Sequence, residues 1–301
     1  MKKKKSRSVD AGFGGAGDRA ALRIVSSVSA VGILLMLFIL GFLVVNGLPV
    51  LKEASVGGIL LGLDWYPTEE PPALGMLPLI AGTLSATLLS SVISLPVAFG
   101  LAVFTAEIAP KYMRNALKVM LELLGFLPSI VLGFLGMMVI APWMQEALGV
   151  ASGLNLLNAS MLLGFLVVPV VASLSEEALC AVPQELRDAS YALGATRWET
   201  VIKVVVPHAM RGMLSASLLG VMRALGETMV VLMAAGGAAI IPRSLTDPIR
   251  PLTSTIAAEM GETAVGSVHY HALFFAGLVL LVITLLINLI SMYVEKRGQR
   301  T

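Results

Sequence analysis

From Ile24 to Leu51 the chain carries no Asp, Glu, Lys or Arg, and four further windows share that property: Pro71–Ala106, Leu123–Gln145, Ala147–Ser175 and Thr263–Val294. Each is long enough for a transmembrane helix, which needs about 20 mostly apolar residues. A spanning segment must satisfy its own backbone N–H and C=O groups, so windows of this kind fold as helices. Composition agrees with that reading. The 301 residues are 57% hydrophobic and 13% charged, whereas a soluble domain is about a quarter charged. Mean hydropathy is +0.88. The single cysteine, Cys180, permits no internal disulfide, and with three histidines there is no basis for a Cys/His metal site.

A sixth window, around residues 212–236, qualifies only if Arg223 and Glu227 within it are tolerated. The expected fold is therefore all-α and integral to the membrane, with six transmembrane helices near 24–46, 77–104, 118–141, 156–176, 212–236 and 271–293. Lys and Arg in the flanks set the orientation. Lys2, Lys3, Lys4, Lys5, Arg7, Arg19 and Arg23 precede the first helix. Lys111, Arg114 and Lys118 follow the second, and Arg187, Arg197, Lys203 and Arg211 follow the fourth. Lys296, Arg297 and Arg300 close the chain on the same side, against only Lys52, Arg243 and Arg250 opposite. Both termini are thus expected in the cytoplasm. The first apolar run is long for a signal peptide and lacks a small-x-small cleavage site, so it is read as an uncleaved first helix. Residues 1–23 form a basic tail whose stretch "VDAGFGGAGD" (9–18) reads as flexible. Residues 24–76 hold the first helix and an external loop.

The longest internal loop, 176–212, reads as two short helices. Pro183 suits a first helical position. Leu186, Ala189, Ser190 and Leu193 give a small, apolar face, and Gly194 can end that helix. Thr196 and Glu199 have capping-box spacing for a second helix, whose apolar face (Trp198, Val201, Ile202, Val205) continues until Pro207. A helix and turn of this shape either seats in a partner's groove or lies on the membrane surface.

The same loop resembles the EAA loop of ABC-transporter importer permeases. Asp188-Ala189-Ser190 stands for the Glu-Ala-Ala triplet, followed at the family's spacing by Gly194 and by Val204-Val205-Val206-Pro207. Further stretches are similar to phosphate-specific transport permeases of the PstC type: "GMLPLIAGTL" (75–84), "ELLGFLPSIVLGFLG" (122–136), "RALGETMVV" (223–231), "STIAAEMGE" (254–262) and "HYHALFFAGLVLLVITLLINL" (269–289). This resemblance implies a type I importer permease domain over 77–297, in a prokaryotic inner membrane. It makes the loop a coupling helix that docks on an ATP-hydrolysing subunit through Asp188, Ala189, Ser190, Gly194 and Pro207. The implied partners are a sister permease, two ATP-binding subunits and an extracytoplasmic phosphate-binding protein. The chain has no G-x-x-x-x-G-K-[ST] phosphate loop. ATP and Mg are therefore expected on the partner ATPase, with no cofactor or metal on this chain, no enzymatic activity of its own and no nucleic acid.

Arg223 lies roughly 11 residues past Gly212, about 16 Å at ~1.5 Å per residue, near the middle of a ~30 Å hydrocarbon core. A lipid-facing arginine there costs at least about 2.5–3.5 kcal/mol. Read as one helix, Glu227 falls a turn later on nearly the same face, and the acid-after-base order is the less stabilising one. Two uses are open: a structural ion pair, or a substrate path in which the planar guanidinium meets a tetrahedral oxyanion. Thr228 belongs with the path reading. Thr83, Thr87, Ser90 and Ser94 form a hydroxyl stripe on the second helix, and Glu122, Gly125, Ser129, Gly133 and Gly136 share a face of the third. Of these, Thr83, Thr87, Glu122 and Ser129 join the candidate path. Small and hydroxyl faces also serve close helix packing, and Lys118 is the alternative partner of Glu122. Glu259 and Glu262, with His269 and His271 nearby, match no familiar metal spacing and are expected to meet solvent or the binding protein. Competing functions are a permease for another oxyanion (molybdate or sulfate), the sister PstA-type subunit, and an intramembrane enzyme. The last lacks H-E-x-x-H and G-x-S-x-G.

Overall fold

A computed structural model describes residues 16–298; the basic residues Lys2 to Arg7, most of the glycine-rich stretch and Arg300 lie outside the described residues. The chain divides into two units at Val45 and Asn46. The first, among the described residues, is a single apolar helix, α1 (Ala16–Gly47), which begins inside the expected tail and runs just past the unit boundary. The second holds all remaining elements: α2 (Val56–Leu61), the short hairpin β1 (Trp65–Tyr66) and β2 (Ala73–Leu74), and α3 (Leu77–Val103). Then follow α4 (Lys111–Gly125), α5 (Ser129–Leu135), α6 (Ala141–Leu148), α7 (Leu156–Cys180) and α8 (Gln184–Ala192). The chain continues with α9 (Arg197–Thr200), α10 (Val206–Leu225), α11 (Met229–Ala234), α12 (Leu252–Glu259) and α13 (Val268–Gly298). Three π-helical turns, Phe104–Ile108, Gly136–Ile140 and Val201–Val205, extend α3, link α5 to α6 and link α9 to α10.

Six helical segments among the described residues are long and apolar enough to span: Leu22–Lys52, Leu77–Ile108, Ser129–Leu148, Leu156–Cys180, Arg197–Leu225 and Val268–Ile290. Two differ from the sequence reading, both at prolines. The expected third helix, 118–141, is broken at residues 126–128. Pro128 is extended (φ −60°, ψ 126°) and caps α5, because proline lacks an N–H and drives the preceding residue away from helical angles. α4 is thus a separate helix, and its Arg114 and Lys118 fall one turn apart. The expected fifth helix starts at Arg197, not 212, and Pro207 does not stop its predecessor. The π turn just before it, in which Val206 N–H bonds Val201 O, widens the backbone where the proline ring would clash. That span ends at Leu225, short of the expected 236.

α7 is the central helix. α3 and α10 pack against it and against each other, and α4 lies along it. Its N-terminus is closed by Asn155, whose side chain accepts Asn158 N–H at 2.9 Å. The chain after α11 also returns there: Leu156 N–H donates to Asp247 O and Leu157 N–H to Leu245 O, at 2.9 and 2.8 Å. Asp247 in turn accepts the backbone N–H groups of Arg243 and Ser244, which hold its carboxyl below the usual carboxylate range. The region expected as an external loop after residue 236 is therefore built into the fold. Leu252, Thr253, Ser254 and Thr255 of α12 are buried, and Leu252 packs with Val50, Ile59, Trp65 and Leu273.

Between apolar helices, small residues permit close van der Waals contact. A Cβ on Gly220 of α10 would sit 2.5 Å from Val171 Cγ2 and 2.9 Å from Val167 Cγ1 of α7. Gly220→Ala is expected to destabilise the protein by about 1–3 kcal/mol, the range for overpacking, read as a lower melting temperature in detergent. At Gly100, nothing lies within 4 Å of an added Cβ. Gly100→Ala is expected to melt with the parent or higher, since alanine favours the helix. A parental melting temperature for Gly220→Ala would show that α10 is not seated on α7 as described.

Candidate functional site

Arg223 and Glu227 do not share a helix. α10 ends at Leu225, residues 226–228 turn, and α11 begins at Met229. Glu227 Oε1 accepts the backbone N–H groups of Thr228 and Met229, both at 3.1 Å, and of Val230 at 3.5 Å. It occupies the start of α11, where unsatisfied N–H groups and the helix dipole favour a carboxylate. Arg223 stands in the last turn of α10, where the dipole favours a cation. The order that is poor within one helix suits two helices meeting at a break. No ion pair joins Arg223 to Glu227 among the described residues. Arg223 is exposed and has no hydrogen-bond partner among them. Because its helix starts at Arg197, Arg223 lies roughly 39 Å along it at ~1.5 Å per residue. The distance from Gly212 therefore does not measure its depth.

The second broken segment meets the first. A Cβ on Gly133 of α5 would lie 3.1 Å from Met229 O and 3.0 Å from Met233 Sδ, and one on Gly136 would lie 3.3 Å from Ala234 Cβ. These contacts advance together along both segments, so α5 and α11 run parallel. Ser129, four residues before Gly133, lies toward the same end of the pair as Glu227. Thr253 Oγ1 of α12 donates to Glu227 O at 2.9 Å, tying the break to α12.

The remaining candidates divide. Thr83 and Thr87 are buried at 2% and 6% exposure, and their hydroxyls donate to Leu79 O and Thr83 O, both at 2.8 Å. Thr83 Oγ1 also accepts Leu252 N–H at 2.9 Å. Both hydroxyls are sealed inside this chain, as in close helix packing. Thr228 is half-buried beside the cap. Glu122 is exposed on α4 and does not continue a face with Ser129, because the break at Pro128 intervenes. Lys118 is not its partner: Lys118 Nζ lies 2.8 Å from Glu176 Oε2.

The loop hairpin forms as its spacing implies. α8 ends and Gly194 turns with φ +83°, a conformation that other L-residues rarely adopt. Thr196 and Glu199 make the reciprocal capping box. Ser190 Oγ lies 2.9 Å from Thr200 Oγ1, joining the two arms. Val201 and Val205 are buried, while Leu186, Tyr191 and Leu193 are exposed beside Asp188.

The carboxylate of Glu176, buried at 3% exposure, was not singled out in the sequence. Glu176 Oε1 lies 2.5 Å from Arg114 Nη2, and with Lys118 this fixes α4 to α7. The i,i+4 spacing of Arg114 and Lys118 was the available signal. Glu259 does not simply meet solvent. It accepts from Trp65 Nε1 at 3.1 Å and Arg250 Nη1 at 2.7 Å, and lies 2.7 Å from His269 Nε2. These four residues border a cavity of about 460 Å³ with Glu262 at its edge. His271 is bound to Asn46 O at 2.6 Å. No group of residues suited to a metal ion occurs among the described residues.

A bundle of spanning helices, interrupted inside by paired breaks and carrying a helix–turn–helix hairpin on one connection, is the membrane subunit of a transporter. The chain belongs to the family of binding-protein-dependent transport system inner membrane components, whose profile matches residues 98–299. It is a multi-pass inner-membrane protein. It is 38% identical over 258 residues to the probable ABC transporter permease protein YqgH of Bacillus subtilis (strain 168), covering 85% of this chain and 84% of that one. It is 32% identical over 264 residues to the phosphate transport system permease protein PstC of Haemophilus influenzae, covering 81% and 82%. Among solved structures, a bacterial alginate ABC transporter chain matches with TM-score 0.65 at 15% identity, covering 95% of this chain and 98% of that one. A chain of the MetNI methionine ABC transporter, facing inward, matches with TM-score 0.56 at 21% identity, covering 72% and 92%. These structural likenesses establish the importer-permease fold.

The capping role of Glu227 is open to a direct check. Glu227→Ala is expected to lose about 0.5–2 kcal/mol of stability, the range for a helix N-cap. Glu227→Gln, which keeps an acceptor oxygen, is expected to lose less. Melting curves of the two purified variants decide, and an alanine variant as stable as the parent would rule out the cap.

Proposed function

We propose that this chain is a permease subunit of an ATP-driven importer of inorganic phosphate. The observation that carries the proposal is Arg223: an exposed guanidinium without a partner among the described residues, at the end of an apolar helix. A cation facing lipid inside the hydrocarbon core is costly, and one at the end of an apolar span without an internal partner is placed to meet another protein surface or a wet path. A sister permease supplies that surface. The two chains form a one-to-one heterodimer with the path between them, and Arg223, Glu227, Thr228 and Ser129 lie near it. Glu227 is committed to the α11 terminus, which leaves Arg223 as the group that attracts the anion. Its planar fork matches a tetrahedral oxyanion. Likeness to PstC over four fifths of the chain supports phosphate as the cargo.

Both termini and the α8–α9 hairpin face the cytoplasm, following the placement of Lys and Arg. The exposed face of α8 docks on one of two ATP-binding subunits through Asp188 and Ala189, while Ser190 holds the two arms of the hairpin together. ATP and Mg stay on those partners, and a phosphate-binding protein delivers the cargo from outside.

Arg223→Lys keeps the charge and loses the fork. Losing one charge-assisted hydrogen bond, worth about 1.5–3 kcal/mol, lowers phosphate uptake about tenfold or more. Uptake of labelled phosphate, compared at equal amounts of assembled complex, is the measurement. Parental uptake by Arg223→Lys would return Arg223 to a purely structural role. Native mass spectrometry of the intact complex is expected to show one copy of this chain beside one different permease, and two copies of this chain would contradict the heterodimer.

A further inference from the structure

The hairpin is joined to the spanning helices through Glu107, in the π turn that ends α3. Arg187 of α8 donates from Nη1 to both carboxylate oxygens of Glu107, at 2.6 and 2.7 Å. Its Nη2 donates to Leu179 O near the end of α7, at 2.9 Å. The two side chains are 12% and 8% exposed. The backbone carbonyl of Glu107 accepts a further bond from Arg197, the first residue of α9. One residue of the π turn that follows α3 therefore holds both arms of the hairpin, and Arg187 gathers that turn and the end of α7. The other ion pair on the hairpin, Lys203 with Glu199 at 3.5 Å, is 71% and 47% exposed, and surface pairs of that kind contribute little.

α8 has two faces. Asp188 is exposed and bonded to Gln184 of its own helix, at 3.1 Å, while its neighbour Arg187 turns inward. We infer that the Arg187–Glu107 pair is the strut that carries movement of the hairpin into α3, and that these two residues position the path-forming helices for transport. The inference rests on the permease reading above. A buried pair resists opening, because separating the partners leaves an uncompensated charge, so α8 and the end of α3 move together. At the other end of α3, Thr83 Oγ1 holds Leu252 N–H, and Thr253 holds the carbonyl of Glu227, both at 2.9 Å. α3 itself, held by short polar contacts at both ends, thus links the hairpin to the break beside Arg223. Coupling between distant sites needs such a physical link, and the link must be shown to bias both ends.

The test uses the full complex in vesicles. Labelled phosphate taken up is divided by ATP hydrolysed, at equal amounts of assembled complex, for Glu107→Gln, Arg187→Gln and the double variant. Each single variant is expected to lower that ratio about fivefold or more, a usual scale for site-to-site coupling, and the double is expected to be no worse than the worse single. A role in folding alone would reduce the amount of complex and leave the ratio unchanged. A parental ratio in both assembled single variants would therefore overturn the strut. Should the glutamine variants not assemble, Arg187→Lys decides. It keeps the charge but cannot hold Glu107 and Leu179 O in the same two-armed way, so a lowered ratio supports the strut and a parental ratio overturns it. Asp188→Arg, on the outward face, is expected to abolish phosphate-stimulated hydrolysis itself. A parent complex without phosphate-stimulated hydrolysis would overturn the phosphate reading, an outcome distinct from a parental ratio in the variants, which overturns the strut.

Discussion

A helix that ends among apolar neighbours strands backbone groups that water cannot reach, and the interior of this fold is arranged around one such ending. At Gly226 the chain leaves α10, with the N–H groups of Gly226 and Glu227 still bonded to Met222 O and Ala224 O, and opens the N–H groups that begin α11. Glu227 takes up the N–H groups with a single carboxylate oxygen, and Thr253 takes up the carbonyl of Glu227 itself. Around this repair α11 seats on α5, α12 folds back beside α3, and the chain beyond α11 reaches the N-terminus of α7. α12 is tied to the break by the Thr253 bond, whereas α11 meets α5 through close apolar contact at Gly133. Isolated contacts of this kind are worth little where water competes, but an unmet polar group in an apolar setting is expensive.

Much of the architecture was legible in the sequence because it depends on local properties. Windows free of charge mark the spans. Gly194 and the Thr196–Glu199 spacing mark the hairpin turn, and the structure places each as that spacing requires. What was not legible depends on the choice among local options. Pro128 breaks a helix, whereas Pro207 is accommodated by a π turn, and nothing in the residue itself distinguishes the two. α12 was hidden because its buried face, Leu252 to Thr255, is mostly hydroxyl and resembles an exposed loop. The pairs Glu107–Arg187 and Trp65–Glu259 join residues far apart in the chain, and spacing along a sequence carries no trace of them.

The candidate site divides along the same line. Thr83 and Thr87 lie on the expected face of α3, but periodicity reports only that they share a face, and burial shows that the face is turned inward. Arg223 stood out because charge in an apolar run is conspicuous at any register. Its relation to Glu227 was obscured by treating residues 212–236 as one cylinder. Two helices place the acid and the base at opposite poles, and the apparent conflict in their order disappears.

The two π turns that lie inside continuous helices have a consequence for how this chain is compared with others. A π turn holds one residue more than the α turn it replaces, and each residue of a helix rotates the side chains by about 100°. Beyond Gly136–Ile140 and Val201–Val205, where the helix continues, the helical face is therefore offset from the face before it. A relative that lacks one residue in such a turn would display different side chains from the same backbone position onward. A single-residue gap falling there in an alignment marks a rotation of the helix, and residues matched across it occupy different sides of the protein.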